Sequence, residues 1–299
     1  MSALGAGLEV LAPGPLTTVQ DRGRAGAFRY GVGVAGAADR AALALANRLV
    51  ANPPERAGLE VLLGGLEVRA EGPLVVAVTG APVPVTVDGR PAPHACVLVL
   101  GAGQVLRLGQ APTGLRAYVA VRGGVAVEPV LGSRSRDTLA GLGPDPLAAG
   151  DRLPVGPAPA GRPRLRTAPV AGPATGTVAV GVVPGPRHDW FTDPGVLFTG
   201  TWTVTPASDR VGLRLERPDG QPGLRRRREE ELPSEGVAVG SLQVPPSGQP
   251  VLFGPDHPVT GGYPVVGVVR DADVDRLAQV RPGQSLRFRP VPAPEVPAP

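Results

Sequence analysis

Apolar and polar residues alternate over short stretches along most of the chain. The segments QVLRLG at 104–109 and QSLRFR at 284–289 show this alternation, and each follows a Gly-containing turn signal. A period of two places successive side chains on opposite faces of a strand, so that one face can join a core. Asp88-Gly89 between two valine-rich runs predicts a tight β-hairpin. The pattern therefore predicts a mainly β chain.

Helical periodicity is scarce in this sequence. The clearest helix is predicted after Asp39, a suitable N-cap, through AALALANRLV to Asn52 and Pro53-Pro54, which end it. A shorter helix is predicted in DADVDRLAQV at 271–280. We expect few short helices.

Several short motifs occur twice in the same order. Pro13-Gly14-Pro15 recurs as Pro184-Gly185-Pro186 at an offset of 184 − 13 = 171, and Asp39-Arg40 recurs as Asp209-Arg210 at 209 − 39 = 170. Three further matches have slowly growing offsets, and they pair Glu60 with Glu235, 65–68 with 241–244, and Gly103-Gln104 with Gly283-Gln284. An ordered series of this kind indicates a duplication of domain length. It predicts two related barrel-like halves.

Composition sets the expected domain boundaries. The stretch at 157–174 is rich in Pro and Gly and has the character of a linker. We expect a first half at 1–168, which includes a connecting segment at 110–168, and a second half at 169–290. Residues 291–299 form a Pro-rich tail.

All 30 basic residues are arginine, and the chain contains no lysine. It therefore cannot carry biotin on an ε-amine, form a pyridoxal Schiff base or complete a phosphate-binding loop that ends in Gly-Lys-Ser/Thr. If ATP is used, another chain must bind it, and no biotin is attached to this one. The histidines at 94, 188 and 257 lack metal-ligand spacing, so no metal site is expected.

Charge and cysteine content limit the partners and the compartment. The net charge is +4, but aromatic residues are only 3% and acidic residues lie among the basic ones, which argues against nucleic-acid binding. No apolar run is long enough to predict a membrane span. Cys96 is the only cysteine, which fits a reducing compartment, and we expect a cytoplasmic protein.

Six ordered motifs resemble a known family. They are TTVQDRGR at 17–24, GAAD at 36–39 followed by Ala46-Asn47, RGGVAVEPVLGSRSRDT at 122–138, SDRVGLRLE at 208–216, SEGVAVGSLQVPPSGQP at 234–250 and TGGYP at 260–264. They are similar to the biotin-dependent carboxyltransferase family, and the resemblance spans about residues 8–290. Its members include PxpC, which is one component of bacterial 5-oxoprolinase, the KipA regulators and the allophanate hydrolase subunit 2 region of urea carboxylase. The resemblance implies two cyclophilin-like β-barrels.

The resemblance implies three activities, which remain open at this point. The first is a subunit of ATP-dependent 5-oxoprolinase that helps cleave 5-oxo-L-proline to L-glutamate with PxpA-like and PxpB-like subunits and is inactive alone. The second is a KipA-like regulator that binds a KipI-like kinase inhibitor, and the third is a component of a urea- or allophanate-type biotin-dependent carboxyltransferase. We favour the first, because the chain has neither a biotin carboxylase region nor a lysine to biotinylate.

Six residues beside turns are candidates for catalysis. Arginine binds carboxylates and phosphates through a planar fork and stays charged. The candidates are Arg22, Asp39, Arg40, Arg134, Asp209 and Arg210. An Asp-Arg pair near a turn also commonly forms a local ion pair or a cap, so a structural role is an open alternative. Family members usually read Gly-Ser-Arg-Ser-Thr where this chain has Arg136 in the last position.

A polar cluster in the second half is the candidate substrate site. Gly261 and Gly262 permit close backbone approach to a ligand, and Tyr263 offers a hydroxyl and a ring face. The candidate substrate-binding residues are Glu235, Gln243, Asp256, Thr260, Gly261, Gly262 and Tyr263. The alternative is that the glycines only satisfy tight turns.

Overall fold

A computed structural model describes residues 7–218, 221–228 and 230–293. Most of the predicted tail at 291–299 lies outside the described residues. Contacts divide the chain into two compact units. The first unit runs to Ala27 and resumes at Val34–Pro173, and the second comprises Phe28–Gly33 and the residues from Ala174 onward.

The first unit consists of two antiparallel sheets. Its strands are β1 (Gly7–Pro13), β2 (Leu16–Gln20), β3 (Gly58–Leu62), β4 (Leu66–Ala70), β5 (Leu74–Gly80), β6 (Val85–Val87), β7 (Arg90–Ala92), β8 (Val97–Leu100), β9 (Val105–Leu108), β10 (Arg116–Val121) and β11 (Arg152–Pro154). One sheet has the order β11-β1-β4-β9-β6-β7, and the other has the order β2-β3-β10-β5-β8. Alternate residues of both sheets, such as Val10, Leu59, Val76, Leu106 and Val119, are buried in one continuous core.

Helix α1 (Arg40–Leu49) packs on β5 and β10 of the first unit. The Asp39 carboxylate accepts a hydrogen bond from the backbone N–H of Ala42 at 2.9 Å and caps the helix. Ala46 and Leu49 on the buried face contact Ala77 and Ala120 of the sheet. The cap therefore places Asp39 at the N-terminus of the helix and Arg40 in its first turn.

The second unit contains a closed seven-stranded barrel. The strands of this unit are β12 (Val178–Pro184), β13 (Trp202–Val204), β14 (Gly212–Glu216), β15 (Glu235–Gly236), β16 (Ser241–Gln243), β17 (Val251–Phe253), β18 (Thr260–Gly261), β19 (Val265–Val269) and β20 (Ser285–Pro290), and all but β15 and β18 belong to the barrel. The barrel order is β12-β19-β16-β17-β14-β13-β20, and β12 and β20 pair in parallel to close it. Trp202, Leu242 and Phe288 fill its interior. Strands β15 and β18 form a separate two-stranded sheet, and helix α2 is Asp271–Leu277.

The last pair of repeated motifs forms the same turn in both units. Gly103 and Gly283 have φ values of +82° and +85°. The side-chain oxygen of Gln104 accepts from the N–H of Gly101 at 2.7 Å, and that of Gln284 accepts from the N–H of Arg281 at 3.2 Å. Each turn leads into an alternating strand, β9 or β20.

The mainly β prediction with few short helices is confirmed. Helices α1 and α2 lie where the periodicity places them. The Asp88-Gly89 hairpin joins β6 to β7, with φ values of +48° and +75° that match a type I′ turn. The barrel closes in the second unit, whereas the first unit has two separate sheets. No helix in the described residues is long and apolar enough to span a membrane.

Candidate functional site

The carboxylate of Asp21 organises a buried polar cluster in the first unit. Its Oδ1 accepts from the hydroxyls of Ser133 and Ser135, each at 2.6 Å, and from the N–H of Gly23 at 2.8 Å. Its Oδ2 accepts from the N–H of Arg134 at 2.7 Å. Asp21, Ser133 and Ser135 are buried. The cluster ties the end of β2 to the segment at 133–137.

Two arginines flank this cluster in different ways. Arg24 is almost fully buried, donates to the carbonyl oxygen of Ser135 and lies 3.7 Å from the carboxylate of Asp137. Arg22 is exposed, and its side chain makes no hydrogen bond or ion pair with any described residue. Asp21 therefore does not pair with Arg22, which leaves the Arg22 guanidinium at the surface.

Arg134 is half-buried, and its guanidinium is bound to the protein through Nε only, among the described residues. The Nε–H of Arg134 donates to the carbonyl oxygen of Val127 at 2.7 Å, while no bond joins its terminal nitrogens to a described residue. Its neighbour Arg136 donates from Nη1 to Asp145 at 3.0 Å, so the residue that departs from the family pattern pairs with an exposed carboxylate. Arg134 is thus the candidate arginine with a fixed stem and available donors.

A second buried network surrounds the start of α1. The hydroxyl of Tyr118 donates to Oε2 of Glu60 at 2.8 Å and accepts from the N–H of Asp39 at 2.7 Å. Nε of Arg116 lies 3.3 Å from Oε1 of Glu60. Burial, reinforced by the charges of Glu60 and Asp39, raises the pKa of Tyr118 well above its ordinary value. Asp39 therefore lies in a structural network, and Arg40 is exposed at the first turn of the helix.

The backbone brings these two clusters of the first unit close together. Gly36 has a φ of +93°, and a Cβ there would lie 2.9 Å from the backbone carbon of Arg22. The N–H of Ala37 donates to the carbonyl oxygen of Asp21 at 3.0 Å. Only glycine permits this approach of the two loops. Arg22 and Asp39 consequently lie on neighbouring loops of one unit.

In the second unit Arg210 and Asp256 form a buried bidentate ion pair. Nε and Nη2 of Arg210 donate to the two carboxylate oxygens of Asp256, each at 2.9 Å, and both side chains are at most 4% exposed. Asp209 instead accepts from the N–H groups of Val211 and Gly212 in an exposed turn. The duplicated Asp-Arg pairs therefore differ, because the Asp is buried in the first unit and the Arg in the second.

The predicted substrate residues other than Asp256 lie around β15 and β18. Glu235 pairs with Gly261 across these strands, and the side-chain amide of Gln243 donates to the carbonyl oxygen of Tyr263 at 3.0 Å. Arg187 binds Glu235 through both carboxylate oxygens, and these hydrogen bonds lower the pKa of Glu235. Thr260, Gly262 and Tyr263 are exposed, whereas Asp256 lies in the ion pair with Arg210.

Several residues of these clusters were absent from the sequence-based candidates. They are Asp21, Arg24, Ser133 and Ser135 in the first unit and Arg187 in the second. Asp21 with Gly23 two positions later is a local signal for an Asx turn, but nothing local identifies the serine partners. In the described residues no group of three or more His, Cys, Asp or Glu side chains is arranged to hold a metal ion.

Comparisons with known proteins decide the family. Residues 30–290 match the family described as carboxyltransferase domain, subdomain A and B. The chain belongs to this carboxyltransferase domain family. Within it, the chain is homologous to the C subunit of 5-oxoprolinase from Escherichia coli strain K12, with 36% identity over 94% of this chain and 90% of that protein. The corresponding C subunit from Haemophilus influenzae is 33% identical over 95% of this chain and 91% of that protein.

A solved structure from the same family supports the fold. The urea amidolyase of K. lactis superposes with a TM-score of 0.89 and 29% identity over 97% of this chain. This chain spans only 19% of the length of that protein. The carboxyltransferase domain fold is therefore shared between a short chain and a segment of a much longer enzyme.

Proposed function

We propose that this chain is a subunit of an ATP-dependent 5-oxoprolinase that cleaves 5-oxo-L-proline to L-glutamate together with PxpA-like and PxpB-like subunits. The observation that carries the proposal is that the likeness to two 5-oxoprolinase C subunits extends over nearly the whole of both chains. The likeness to urea amidolyase covers only a segment of that enzyme. The first activity is favoured because the relatives matched over nearly their whole length are both 5-oxoprolinase C subunits.

The chemistry explains why several chains are needed. An unstrained lactam is a poor electrophile, and phosphorylating its carbonyl oxygen supplies a leaving group. Fixed cationic donors then stabilise the charge that develops. This chain supplies arginines but contains no lysine for a phosphate-binding loop. ATP is therefore bound by a partner, and this subunit is inactive alone.

Three arginines of the first unit are the proposed electrostatic residues. Arg22 and Arg40 are exposed, and Arg134 offers its terminal nitrogens beside the Asp21 cluster. In the second unit, Gln243 and the strand pairing of Glu235 with Gly261 support the segment that presents Thr260, Gly262 and Tyr263. We assign this segment to contacts with the substrate. Arg210, Asp256, Asp39 and Asp209 then act by holding the loops in place.

A deletion strain tests this function. We expect the protein to act in the cytoplasm. Deleting the gene should abolish consumption of 5-oxoproline, and the wild-type gene on a plasmid should restore it. Avidin added to a lysate of the restored strain should leave glutamate release unchanged, because no biotin is involved. Unchanged consumption after deletion would contradict the proposal and favour a KipA-like regulator with a KipI-like partner, while sensitivity to avidin would favour a carboxyltransferase.

A further inference from the structure

An open cleft in the second unit is lined by three of the four arginines at 225–228. Its volume is about 550 Å³, and Arg225, Arg226 and Arg228 line it together with Leu224, Ser247 and Gly248. Small-molecule sites typically have volumes of about 300–1,000 Å³. Among the described residues no acidic side chain lines the cleft. Of its three arginines only Arg228 pairs with carboxylates, those of Asp189 and Glu230, so this wall carries a net positive charge.

The cleft is held in shape by the backbone. The N–H of Leu224 donates to the carbonyl oxygen of Gly248 at 2.9 Å, which joins the loop at 222–228 to the loop at 246–248. The N–H of Thr192 donates to the carbonyl oxygen of Arg225 at 2.9 Å, and the N–H of Arg227 donates to that of Trp190 at 2.8 Å. Backbone hydrogen bonds therefore hold the arginine run in place, and it is not a loose charged loop.

Arg226 is half-buried, and no carboxylate of the described residues pairs with its charge. Its Nη2 donates to the carbonyl oxygen of Val244 at 2.8 Å, and its guanidinium lies 5.3 Å from the ring centre of Tyr263. Its Nε is buried without a hydrogen-bond partner. Burial lowers the pKa of Arg226. A bound anion would offset the cost of desolvating this charge.

The other two arginines complete the positive wall. The side chain of Arg225 is exposed and forms no hydrogen bond or ion pair with a described residue. Arg228 lies 3.3 Å from Asp189 and 5.4 Å from the ring centre of Trp190, which orients its guanidinium. Two of the three charges at the cleft thus lack a carboxylate partner in the part of the chain that the structure describes.

We propose that this cleft binds a small oxyanion, either a phosphate or a carboxylate, through Arg225 and Arg226. The planar arginine fork matches both groups, and the volume leaves room for an organic substituent. Arg226 also links the cleft to Tyr263, a residue of the predicted substrate cluster, by stacking on its ring. This binding is a property of the isolated chain, so its failure would leave the proposed 5-oxoprolinase function untouched.

Isothermal titration of the full chain with inorganic phosphate and, separately, with acetate tests the proposal at low ionic strength. We expect saturable binding of at least one of the two anions, and the stronger of them identifies the natural ligand as phosphate-like or carboxylate-like. Arg226→Gln and Arg225→Gln should each weaken that binding by about tenfold, since each removes a charge-assisted contact. Arg227→Gln is the matched control, because Arg227 belongs to the same run but does not line the cleft.

The two variants keep the test decisive. Arg226 supports Val244, so Arg226→Gln is interpreted only if its circular dichroism matches the wild type. Arg225 is exposed, and Arg225→Gln should fold normally in any case. Absence of saturable binding of both anions, or equal affinity in wild type and Arg225→Gln, would overturn the proposal. An equal loss in Arg227→Gln would also overturn it, because the attraction would then be a general effect of net charge.

Discussion

Asp21 and Ser135 exchange hydrogen bonds in both directions, although 114 positions separate them. The N–H of Asp21 donates to the Ser135 hydroxyl oxygen at 2.8 Å, and that hydroxyl donates to Oδ1 of Asp21 at 2.6 Å. This reciprocal pair holds the Gly-Ser-Arg-Ser segment against the end of β2. The position of Arg134 therefore depends on a carboxylate that lies in another part of the sequence.

Replacing Asp21 by Asn should destabilise the protein by about 2–4 kcal/mol, because hydrogen bonds to a charged acceptor contribute roughly 1.5–3 kcal/mol each. Two hydroxyls would lose their carboxylate acceptor. Urea unfolding measures the change. Asp145→Asn is the control, since Asp145 is 90% exposed and its ion pair with Arg136 should contribute at most about 1 kcal/mol. Similar stabilities of the two variants would contradict this role of Asp21.

Breaking the Arg210–Asp256 pair from one side should cost about 3–5 kcal/mol, because it leaves a buried charge without its partner. We expect Arg210→Leu and Asp256→Leu each to show this loss in urea unfolding. The double variant should lose less than the sum of the two. Arg107→Leu is the control, because its pair with Glu67 is exposed and should contribute at most about 1 kcal/mol. Additive losses would show that the two residues do not interact.

Tyr118→Phe should change how stability depends on alkaline pH. The pKa of Tyr118 is raised in the folded protein, so above about pH 10 the unfolded chain loses this proton while the folded protein retains it. Tyr118 therefore contributes stability below that pH and loses it as the pH rises further. The free energy of unfolding should fall more steeply with pH for wild type than for Tyr118→Phe between about pH 9.5 and 11, the range in which tyrosine titrates. Equal slopes would contradict this.

Arg134→Ala should lower ATP-dependent glutamate release by the assembled subunits about a hundredfold, if its donors stabilise developing charge. The loss should appear in kcat, with a smaller change in KM. Arg107→Ala is the matched control, because it is an exposed arginine on β9 of the same unit. Full turnover by Arg134→Ala would remove this residue from the mechanism.

Local signals in the sequence identify the local structure. Asp39 with the apolar period after it predicts α1, Asp88-Gly89 predicts a hairpin, and Gly103-Gln104 predicts the turn before β9; the structure contains all three. Each depends on the conformational preferences of a few adjacent residues. These elements could therefore be predicted without knowledge of the fold.

Long-range partners could not be predicted in this way. Asp256 lies 46 positions from Arg210, and Ser133 lies 112 positions from Asp21. The paired Asp-Arg motifs are equivalent in sequence, yet Asp39 caps a helix while Arg210 forms a buried ion pair. Their environments follow from strand order and loop packing. Arg225, Arg226 and Arg228 likewise become one wall of a cleft only when the loop at 246–248 joins them.

The most direct measurement is glutamate formed from 5-oxoproline by purified subunits. With ATP, this chain together with its PxpA-like and PxpB-like partners should release glutamate and phosphate. Omitting this chain, or supplying it alone, should abolish the release. Undiminished turnover without this chain, or turnover by this chain alone with ATP, would contradict the account.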